Sequence, residues 1–285
     1  MSKVATVFTH RRPDETRAAL AEVIEVARAN GWTLRFDVTE TEKHGLTPGE
    51  ALELGAPVAR EADLCIALGG DGTILHGLRA YANTGVPVFG INFGEVGFLA
   101  TIDPDGIGAG VERALRGEFD VLRLPGIEVE SGGRSWLAMN DVSFHRQQGL
   151  RVADLAFDVA EEEVGRVRCD GLVIATPAGS TGYNLANGGP VMAWGVEGLA
   201  VSFIAPHSLT ARALVVAPQD GIAVRSRSQE EPVDVGVDGR PVCELPPGGR
   251  VTARFRDGVG TLAQTPGASF YHRLREKFGR LANTA

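Results

Sequence analysis

The stretch DLCIALGGDGTILHG, residues 63–77, constrains the fold of this chain more than any other. Residues 64–68 are all apolar, which is typical of a strand covered on both faces of a parallel sheet. Three glycines, an aspartate and a threonine follow at 69–73, and helical spacing begins directly after them. Glycines let backbone N–H groups approach a ligand closely, and a helix N-terminus favours negative charge. The stretch therefore predicts a strand, an anion-binding turn and a helix, with an aspartate unusually placed inside the turn.

The sequence on both sides continues the alternation of strand and helix. Residues 4–8, 33–38 and 86–92 are predicted strands, and residues 13–31 a helix with Pro13 in its first turn and Gly31 as its stop. Such a βαβ series predicts an α/β domain over residues 1–124, with a mostly parallel, Rossmann-like sheet.

From about residue 125 the pattern changes to short strands joined by glycine turns. Two strands surround Gly132 and Gly133, and two more surround Asp238 and Gly239, which predicts hairpins. We predict a β-rich domain over residues 125–264, followed by a C-terminal helix.

Composition excludes several classes of function. The 285 residues carry a net charge of −8 and are 44% hydrophobic, so neither a nucleic-acid surface nor an anionic-membrane surface is expected. No apolar run approaches the roughly 20 residues of a membrane span, and a secretory signal is absent, which favours a cytoplasmic protein. The cysteines and histidines lack metal-ligand spacing, so we predict no protein-built metal site.

Asp71 is the residue for which the sequence suggests the most specific chemical role. Phosphoryl transfer would hold phosphates against the backbone of Gly69 and Gly70, while Asp71 accepts or orients the proton of an attacking hydroxyl and Mg²⁺ spreads the charge. The alternative is a tight turn in which the aspartate only caps the helix.

Two further motifs bear polar groups suited to a nucleotide. Asn140 and Asp141, predicted at the end of a strand, can bind a sugar hydroxyl or the edge of a base, or they can form an Asx turn. In TPAGSTGYN, residues 176–184, small residues admit a planar ring, hydroxyls offer hydrogen bonds, and an aromatic offers a stacking face. A polar loop is the alternative.

Basic residues suggest contacts for phosphates. Arg11 and Arg12 follow the first strand, at the carboxyl end where open α/β sheets bind ligands, although a solvated loop also explains them. Arg168, two residues before Asp170, can reach a ligand or a neighbouring subunit.

These motifs, in this order, resemble the NAD kinase family. GGDGT at 69–73 matches the family completely, Asn140–Asp141 matches its N-E pair, and TPAGSTGY matches its T-P-T-G-S-T-A-Y motif. Supporting matches are GINFGEVGFL at 90–99, GGP at 188–190, APHSLTARALVV at 205–216 and VDG at 237–239. The resemblance implies the two-domain NAD kinase fold, with the helix in 265–285 placed back on the first domain and the dinucleotide in the cleft between the domains.

The resemblance also implies a reaction, in which NAD is phosphorylated at the 2′-hydroxyl of its adenosine ribose to give NADP. Asp71 would be the general base, Gly69, Gly70, Arg11 and Arg12 would meet the phosphate donor, and Asp170 would lie at the far end of the dinucleotide site. The remaining NAD-binding residues that we predict are Gly72, Thr73, Phe98, Asn140, Asp141, Arg168, Thr181, Gly182, Tyr183 and His207. For Phe98 and His207, a place in the protein core is an equal alternative.

The implied co-reactants are Mg²⁺ or another divalent cation, and ATP or inorganic polyphosphate as donor, in a homo-oligomer that is a dimer or a tetramer. The sequence departs from the family at four positions: Asp141 replaces glutamate, Ala178 a hydroxyl-bearing residue, Gly182 alanine, and Glu95 a residue that is often basic. The alternatives are a lipid or sugar kinase that shares the glycine-aspartate turn, and a non-catalytic dinucleotide-binding regulator.

Overall fold

The computed structural model of the chain describes residues 3–58, 61–94 and 97–279, so Glu95 lies outside the described residues. The chain divides into two compact units, Met1–Arg123 together with Gly260–Ala285, and Leu124–Val259. Each unit has its own buried apolar core. Every helix in the described part of the chain is too short or too polar to cross a membrane.

The first unit alternates strands and helices. Its elements are, in chain order, β1 (Val4–Thr9), α1 (Arg17–Ala29), β2 (Thr33–Arg35), α2 (Val38–His44), β3 (Leu52–Glu53), β4 (Leu64–Gly69), α3 (Asp71–Ala80), β5 (Val88–Asn92) and α4 (Ile107–Leu115). A 3₁₀ turn, Pro13–Glu15, precedes α1. The predicted strands β1, β4 and β5 and the helices α1 and α3 are confirmed.

These strands form a parallel sheet in the order β5, β4, β1, β2, β3. Thr9 pairs with Leu68, and Gly69 pairs with Asn92, so the carboxyl ends of β1, β4 and β5 meet at one edge. Ligands of open α/β sheets bind at this edge. The sheet therefore places the glycine turn after β4 beside the loop that follows β1.

The second strand is shorter than predicted, because a helix begins at Val38 rather than a strand ending there. Asp37 is the N-cap residue of α2, and its side chain accepts a hydrogen bond of 2.7 Å from the backbone N–H of Glu40. Such a cap stabilises a helix start by about 1 kcal/mol. The capping sequence D-V-T-E overrides the β preference of Val38.

The second unit is built from antiparallel strands. The elements that follow α4 are β6 (Asp120–Ser131), β7 (Arg134–Ala138), β8 (Asp141–Arg146), β9 (Ala153–Val159), β10 (Glu162–Cys169), β11 (Gly171–Ala175), α5 (Tyr183–Ala186), β12 (Leu199–Ile204), β13 (Leu214–Val216), β14 (Ile222–Ser226), β15 (Val233–Val237), β16 (Arg240–Leu245) and β17 (Arg250–Gln264). One sheet has the order β13, β12, β11, β8, β15, β16, and β10, β9, β14 and the first part of β17 are neighbours in another. The predicted hairpins are β6–β7 and β15–β16, and they are confirmed.

The chain returns to the first unit at its end. Leu262 of β17 pairs in parallel with Val88 of β5, and the helix α6 (Phe270–Phe278) follows. Phe270 and Leu274 are the buried residues of α6, at helical spacing. The sequence predicts this helix from the spacing of Leu274, Phe278 and Leu281; the helix is present and Leu274 is buried, whereas Phe278 is 40% exposed and Leu281 lies outside the described residues.

Candidate active site

The glycine turn joins β4 to α3 without an intervening loop. Gly69 is the last residue of β4, Gly70 is the N-cap position, and Asp71 is the first residue of α3. A Cβ atom on Gly70 would lie 3.3 Å from the Cα of Gly94, and a Cβ on Gly94 would lie 2.8 Å from the Cα of Gly70. The backbones of these two glycines therefore lie close together, so that a Cβ atom is excluded at Gly94 and would be tightly placed at Gly70.

The Asp71 carboxylate is held by backbone N–H groups of a segment further along the chain. Oδ2 accepts a hydrogen bond of 2.9 Å from Phe98 N, and Oδ1 accepts one of 2.8 Å from Leu99 N. A carboxylate has about four lone-pair directions, so two remain for a ligand. The side chain has a fixed orientation and a remaining capacity to accept a proton.

A cleft of about 570 Å³ opens at the carboxyl ends of β1 and β4. Four of the predicted site residues line it: Arg11, Gly70, Gly72 and Thr73. The other lining residues are Thr9, His10, Thr39, Lys43, His76 and Gly94. The cleft thus combines glycine backbone with basic side chains from three different elements or loops, and this combination suits an anionic ligand.

Two predicted donor residues lie apart from the lining of this cleft. Gly69 is buried inside the sheet as the end of β4. Arg12 points to Glu15, whose Oε1 lies 2.7 Å from its guanidinium, and its side chain is 67% exposed. The geometry favours Arg11 over Arg12 as a contact for phosphate, because Arg11 is the one that lines the cleft.

A buried polar cluster fixes Lys43 at the cleft. Its ammonium donates to the Thr9 carbonyl at 3.1 Å and to Glu40 Oε1 at 2.8 Å, while Glu40 Oε2 accepts from the Thr9 hydroxyl at 2.7 Å. His44 Nε2 lies 2.7 Å from the same hydroxyl. Burial lowers the pKa of His44, and the Glu40 carboxylate opposes that shift.

Sequence reasoning missed Lys43 and its cluster, although a signal for α2 was present. An aspartate followed three residues later by glutamate, as in Asp37 and Glu40, is typical of a helix N-terminus. That signal predicts α2, and helical spacing then places Glu40, Lys43 and His44 on adjacent turns. The contact of this cluster with Thr9 is a tertiary one and has no local signal.

Asn140 and Asp141 lie at the beginning of β8, not at the end of a strand as predicted. The Asp238 carboxylate accepts hydrogen bonds from the backbone N–H groups of Met139, Asn140 and Asp141. These hydrogen bonds fix the backbone of the pair. The Asn140 Oδ1 atom is buried and has no hydrogen-bond partner within the described part of the chain.

Asp141 lies in a pocket of about 410 Å³ in the second unit. The pocket is lined by Asp141, Ser143, His145, Tyr183, Asp234, Val235, Gly236, Gly239, Arg240 and Pro241. The His145 and Tyr183 rings stack with their centroids 5.5 Å apart and an angle of 15° between their planes. An aromatic pair beside carboxylate, hydroxyl and guanidinium groups suits a nucleoside.

Burial shifts the ionisation of this pocket. It raises the pKa of Asp141 to about 7, and the nearby Asp238 carboxylate adds to the shift. Burial also raises the pKa of the Tyr183 phenol, again with a contribution from a carboxylate, that of Asp141. The Asp141 carboxyl is therefore present in both its protonated and its ionised form near neutral pH.

The TPAGSTGY loop packs tightly onto Asn140. The Thr176 backbone N–H donates to the Asn140 carbonyl at 2.8 Å, and a Cβ atom on Gly179 would collide with the Asn140 backbone. The Ser180 hydroxyl is buried and donates to the Pro177 carbonyl, so it serves the loop rather than a ligand. The Thr181 hydroxyl donates to Ala178 O at 3.3 Å, and the Gly182 backbone is exposed. Tyr183 is the residue of this loop that lines the pocket.

Arg168, Asp170 and His207 lie at the opposite end of the β8–β11 pair from Asp141. Asp141 pairs with Ala175, whereas the N–H of Arg146 donates to the Asp170 carbonyl, roughly 16 Å further along β8. Asp170 accepts a charged hydrogen bond of 2.5 Å from Arg146 Nε. His207 donates its backbone N–H to Arg168 O, and its side chain is exposed, so the alternative of a core histidine is wrong.

Phe98 is buried in the first unit, with 2% of its surface exposed. Its ring packs against Phe270 and Phe278 of α6, with centroid distances of 5.6 and 5.8 Å. The Phe98 side chain is therefore part of the core of the first unit, its backbone is the part that contacts Asp71, and a contact of the ring with NAD stays a prediction.

A divalent cation finds no ready protein cage among the residues that the structure describes, which include no group of three or more His, Cys, Asp or Glu side chains arranged to hold one. Mg²⁺ commonly binds through substrate phosphates, water and only one or two carboxylates. The side chains of the described residues are therefore compatible with a cation that binds together with a phosphate ligand.

Family models of known proteins match both units of the chain. The family model described as ATP-NAD kinase N-terminal domain matches residues 9–119, and the one described as ATP-NAD kinase C-terminal domain matches residues 139–258. The chain is 34% identical over 281 residues to NAD kinase of Gemmatimonas aurantiaca, with 96% of this chain and 94% of that protein covered. It is 34% identical over 290 residues to NAD kinase 2 of Streptomyces coelicolor, with 97% and 95% covered.

Two solved structures share the fold of this chain. Yeast NADH kinase complexed with NADH superimposes with a TM-score of 0.87 at 22% identity, covering 100% of this chain and 89% of that one, and supports the fold. An NAD kinase from Archaeoglobus fulgidus in complex with ATP superimposes with a TM-score of 0.72 at 26% identity, covering 98% of each chain. From its two matched domains and its full-length relatives, the chain belongs to the NAD kinase family.

Proposed function

We propose that the chain transfers the terminal phosphoryl group of ATP to the 2′-hydroxyl of the adenosine ribose of NAD, giving NADP. The observation that carries this proposal is Asp71, whose carboxylate is fixed by two backbone N–H groups and which stands in the chain between Gly70 and Gly72, two residues that line a basic cleft. In phosphoryl transfer the protein mainly positions the reactants and stabilises charge.

The basic cleft is the proposed site for the phosphates of the donor. Gly70 borders it together with Gly72 and Thr73, which the family resemblance assigned to NAD, at the N-terminus of α3, a helix of 10 residues whose first N–H groups favour an anion. Arg11 and Lys43 add positive charge from the loop after β1 and from α2. Inorganic polyphosphate ends in the same chemical group as ATP, so we propose that the cleft accepts either donor.

Asp71 is the proposed general base. Its two backbone hydrogen bonds use one lone pair on each oxygen, so the ribose hydroxyl can donate to another. A loose transition state requires removal of the hydroxyl proton only late, which a carboxylate can do. The hydroxyl oxygen then forms the new bond to phosphorus, the bond to the donor's bridging oxygen breaks, and the proton passes to Asp71.

The pocket around Asp141 and Tyr183 is the proposed site for the adenosine. Its stacked ring pair offers an aromatic surface, and Asn140, which precedes the pocket residue Asp141 in the chain, has a buried amide oxygen that lacks a partner in the described chain. A buried unsatisfied acceptor costs about 1–3 kcal/mol, so a ligand that donates to it binds more tightly. Arg168, Asp170, Thr181, Gly182 and His207 remain predicted contacts of NAD.

Mg²⁺ would bind together with the phosphates of the donor and would neutralise part of their charge. That requirement, a dimeric or tetrameric assembly and a cytoplasmic location all remain predictions. Omission of Mg²⁺ from the assay tests the first, and sedimentation of the purified protein tests the second.

The direct test is incubation of the purified protein with NAD, Mg²⁺ and either ATP or polyphosphate, with NADP detected by an NADP-specific dehydrogenase. We expect NADP with ATP, and a comparison of the two donors settles which one is used. NAD binding by calorimetry without product from any donor would instead identify a dinucleotide-binding regulator. Membership of the NAD kinase family argues against the lipid or sugar kinase, and diacylglycerol and fructose 6-phosphate serve as negative substrates.

Lys43 gives a specific prediction for the donor cleft. Lys43→Met is expected to raise the KM for ATP about 10- to 100-fold, the loss that corresponds to one charge-assisted hydrogen bond. The KM for NAD should stay nearly unchanged. Steady-state kinetics with each substrate varied in turn measures both constants.

Arg28→Met is the matched control, because Arg28 is exposed on α1 and pairs with Glu25 rather than lining the cleft. Equal KM values for ATP in Lys43→Met and the wild type would remove Lys43 from the donor site. Thermal unfolding of both variants separates a loss of binding from a loss of folded protein.

A further inference from the structure

The segment that holds the Asp71 carboxylate is itself held by the C-terminal helix. Arg273 of α6 donates from Nη1 to the Phe98 carbonyl at 2.8 Å, and the same nitrogen donates to the Ala100 carbonyl. Its Nη2 donates to Gln264 Oε1 at 3.1 Å. The guanidinium therefore joins α6 to the chain on both sides of Leu99.

One peptide unit links Arg273 directly to Asp71. The Phe98 carbonyl, which accepts from Arg273, and the Leu99 N–H, which donates to Asp71 Oδ1, belong to the same amide group. A cationic donor on the carbonyl polarises the amide and strengthens its N–H as a donor. The two side chains are thus coupled through a single planar group, although 202 positions separate them in the sequence.

Packing around this peptide restricts its movement. The Phe98 ring packs against Phe270 and Phe278 of α6, and Gly97 just before it has a φ of +62°. Burial lowers the pKa of Arg273, and the negative charge of Asp71 opposes that shift, so the two groups interact electrostatically. Arg273 nevertheless stays charged, because an arginine side chain is not deprotonated in proteins.

We propose that Arg273 is a positioning residue for the Asp71 carboxylate, acting through the Phe98–Leu99 peptide. This inference rests on the role of Asp71 in the proposed function. Arg273 keeps the two N–H donors at the distance that fixes the carboxylate, so its loss releases Asp71 from its orientation while the NAD and donor sites stay in place. The alternative is that Arg273 only anchors α6 and contributes to stability.

Kinetics of Arg273→Met separates these roles. We expect kcat to fall about 10- to 100-fold, the range for one buried charge-assisted hydrogen bond, with the KM for NAD within about threefold of the wild type. Arg273→Lys, which keeps the charge and can reach one carbonyl, should recover part of the loss. Arg275→Met is the matched control, because Arg275 is exposed on the same helix.

A double-mutant cycle gives the decisive readout. In an Asp71→Asn background, Arg273→Met should lower kcat much less than it does in the wild type, because residues that act through one another are not additive. The same factor in both backgrounds, or a kcat of Arg273→Met equal to the wild type, would overturn the proposal. If Arg273→Met fails to fold, Arg273→Gln replaces it in the same cycle, and an unchanged kcat of this variant contradicts the proposal equally.

The experiments distinguish a failure of the proposed function from a failure of the positioning role of Arg273. A wild-type protein that forms no NADP from any donor contradicts the function itself. A wild-type protein that forms NADP, together with Arg273 variants of full kcat, contradicts only the positioning role.

Discussion

Asp71→Asn is expected to lower kcat about 100- to 10,000-fold, the contribution typical of a positioned general base. The KM for NAD should remain within a few-fold, because the amide keeps the size of the carboxylate. The physical reason is that an amide cannot take the proton of the ribose hydroxyl. Initial rates of NADP formation over a range of NAD concentrations measure both constants.

The structure adds a second consequence of this substitution. Asparagine offers one acceptor and one donor group where two backbone N–H groups, those of Phe98 and Leu99, each require an acceptor. One of them loses its partner, at a cost of about 1–3 kcal/mol if it stays buried. A lower Tm is therefore expected together with the lower kcat.

Formate rescue separates the chemical effect from the structural one. Asp71→Ala leaves space for a small carboxylate, and added formate should restore part of the lost turnover if the position supplies a base. A variant at Asp71 with turnover close to the wild type would remove this residue from the reaction. Calorimetric titration with NAD shows in every case whether the substrate still binds.

The sequence predicted the α/β sheet and the glycine turn because their signals are local. Continuous apolar residues produced β4, glycines at 69, 70 and 72 produced the turn, and hairpin glycines located β6–β7 and β15–β16. The position of Asp71 at the carboxyl end of a parallel strand follows from this pattern alone. Its hydrogen-bond partners lie 27 and 28 positions away, and no local pattern predicts them.

In the β-rich unit, too, the sequence indicated the polar residues of the site but not their hydrogen-bond partners. The motif at Asn140 and Asp141 was recognisable from its neighbouring polar groups, but its place at the start of β8 depends on Asp238, 97 to 99 positions further along the chain. Likewise, the Ser180 hydroxyl looks available in the sequence and is consumed by the loop's own carbonyl in the fold. Residue type indicated the chemistry of the site, whereas the partners of each group depended on tertiary contacts.

Asp141→Asn is the second variant with a large expected effect, here on stability and its pH dependence. Burial raises the pKa of this carboxyl from 3.8 to about 7, so the folded protein retains a proton that the unfolded chain releases. Stability therefore falls as the pH rises from about 4 to about 7, by roughly 4 kcal/mol if the full difference applies. Below this window the carboxyl is protonated in both states and carries no such cost.

The amide of asparagine is neutral at every pH, so the variant should escape this loss. We expect Asp141→Asn to raise the Tm by several degrees at about pH 8 and by less than half as much at about pH 5, given roughly 2 °C or more per kcal/mol. Thermal unfolding at both pH values measures the difference. NAD affinity of the variant, measured at the same time, reports separately on the proposed adenosine contact.

Asp257→Asn is the matched control, because Asp257 is an exposed residue of β17. Its effect on the Tm should be small and equal at both pH values. Equal destabilisation by Asp141→Asn at pH 5 and pH 8 would contradict this prediction. It would mean that the wild-type carboxyl is already ionised at both pH values and is stabilised by a partner. In that case the proton does not reside on Asp141. We expect the stabilisation at pH 8 rather than this result, because the backbone N–H groups of Met139, Asn140 and Asp141 all donate to Asp238, whereas Asp141 is buried and burial raises its pKa.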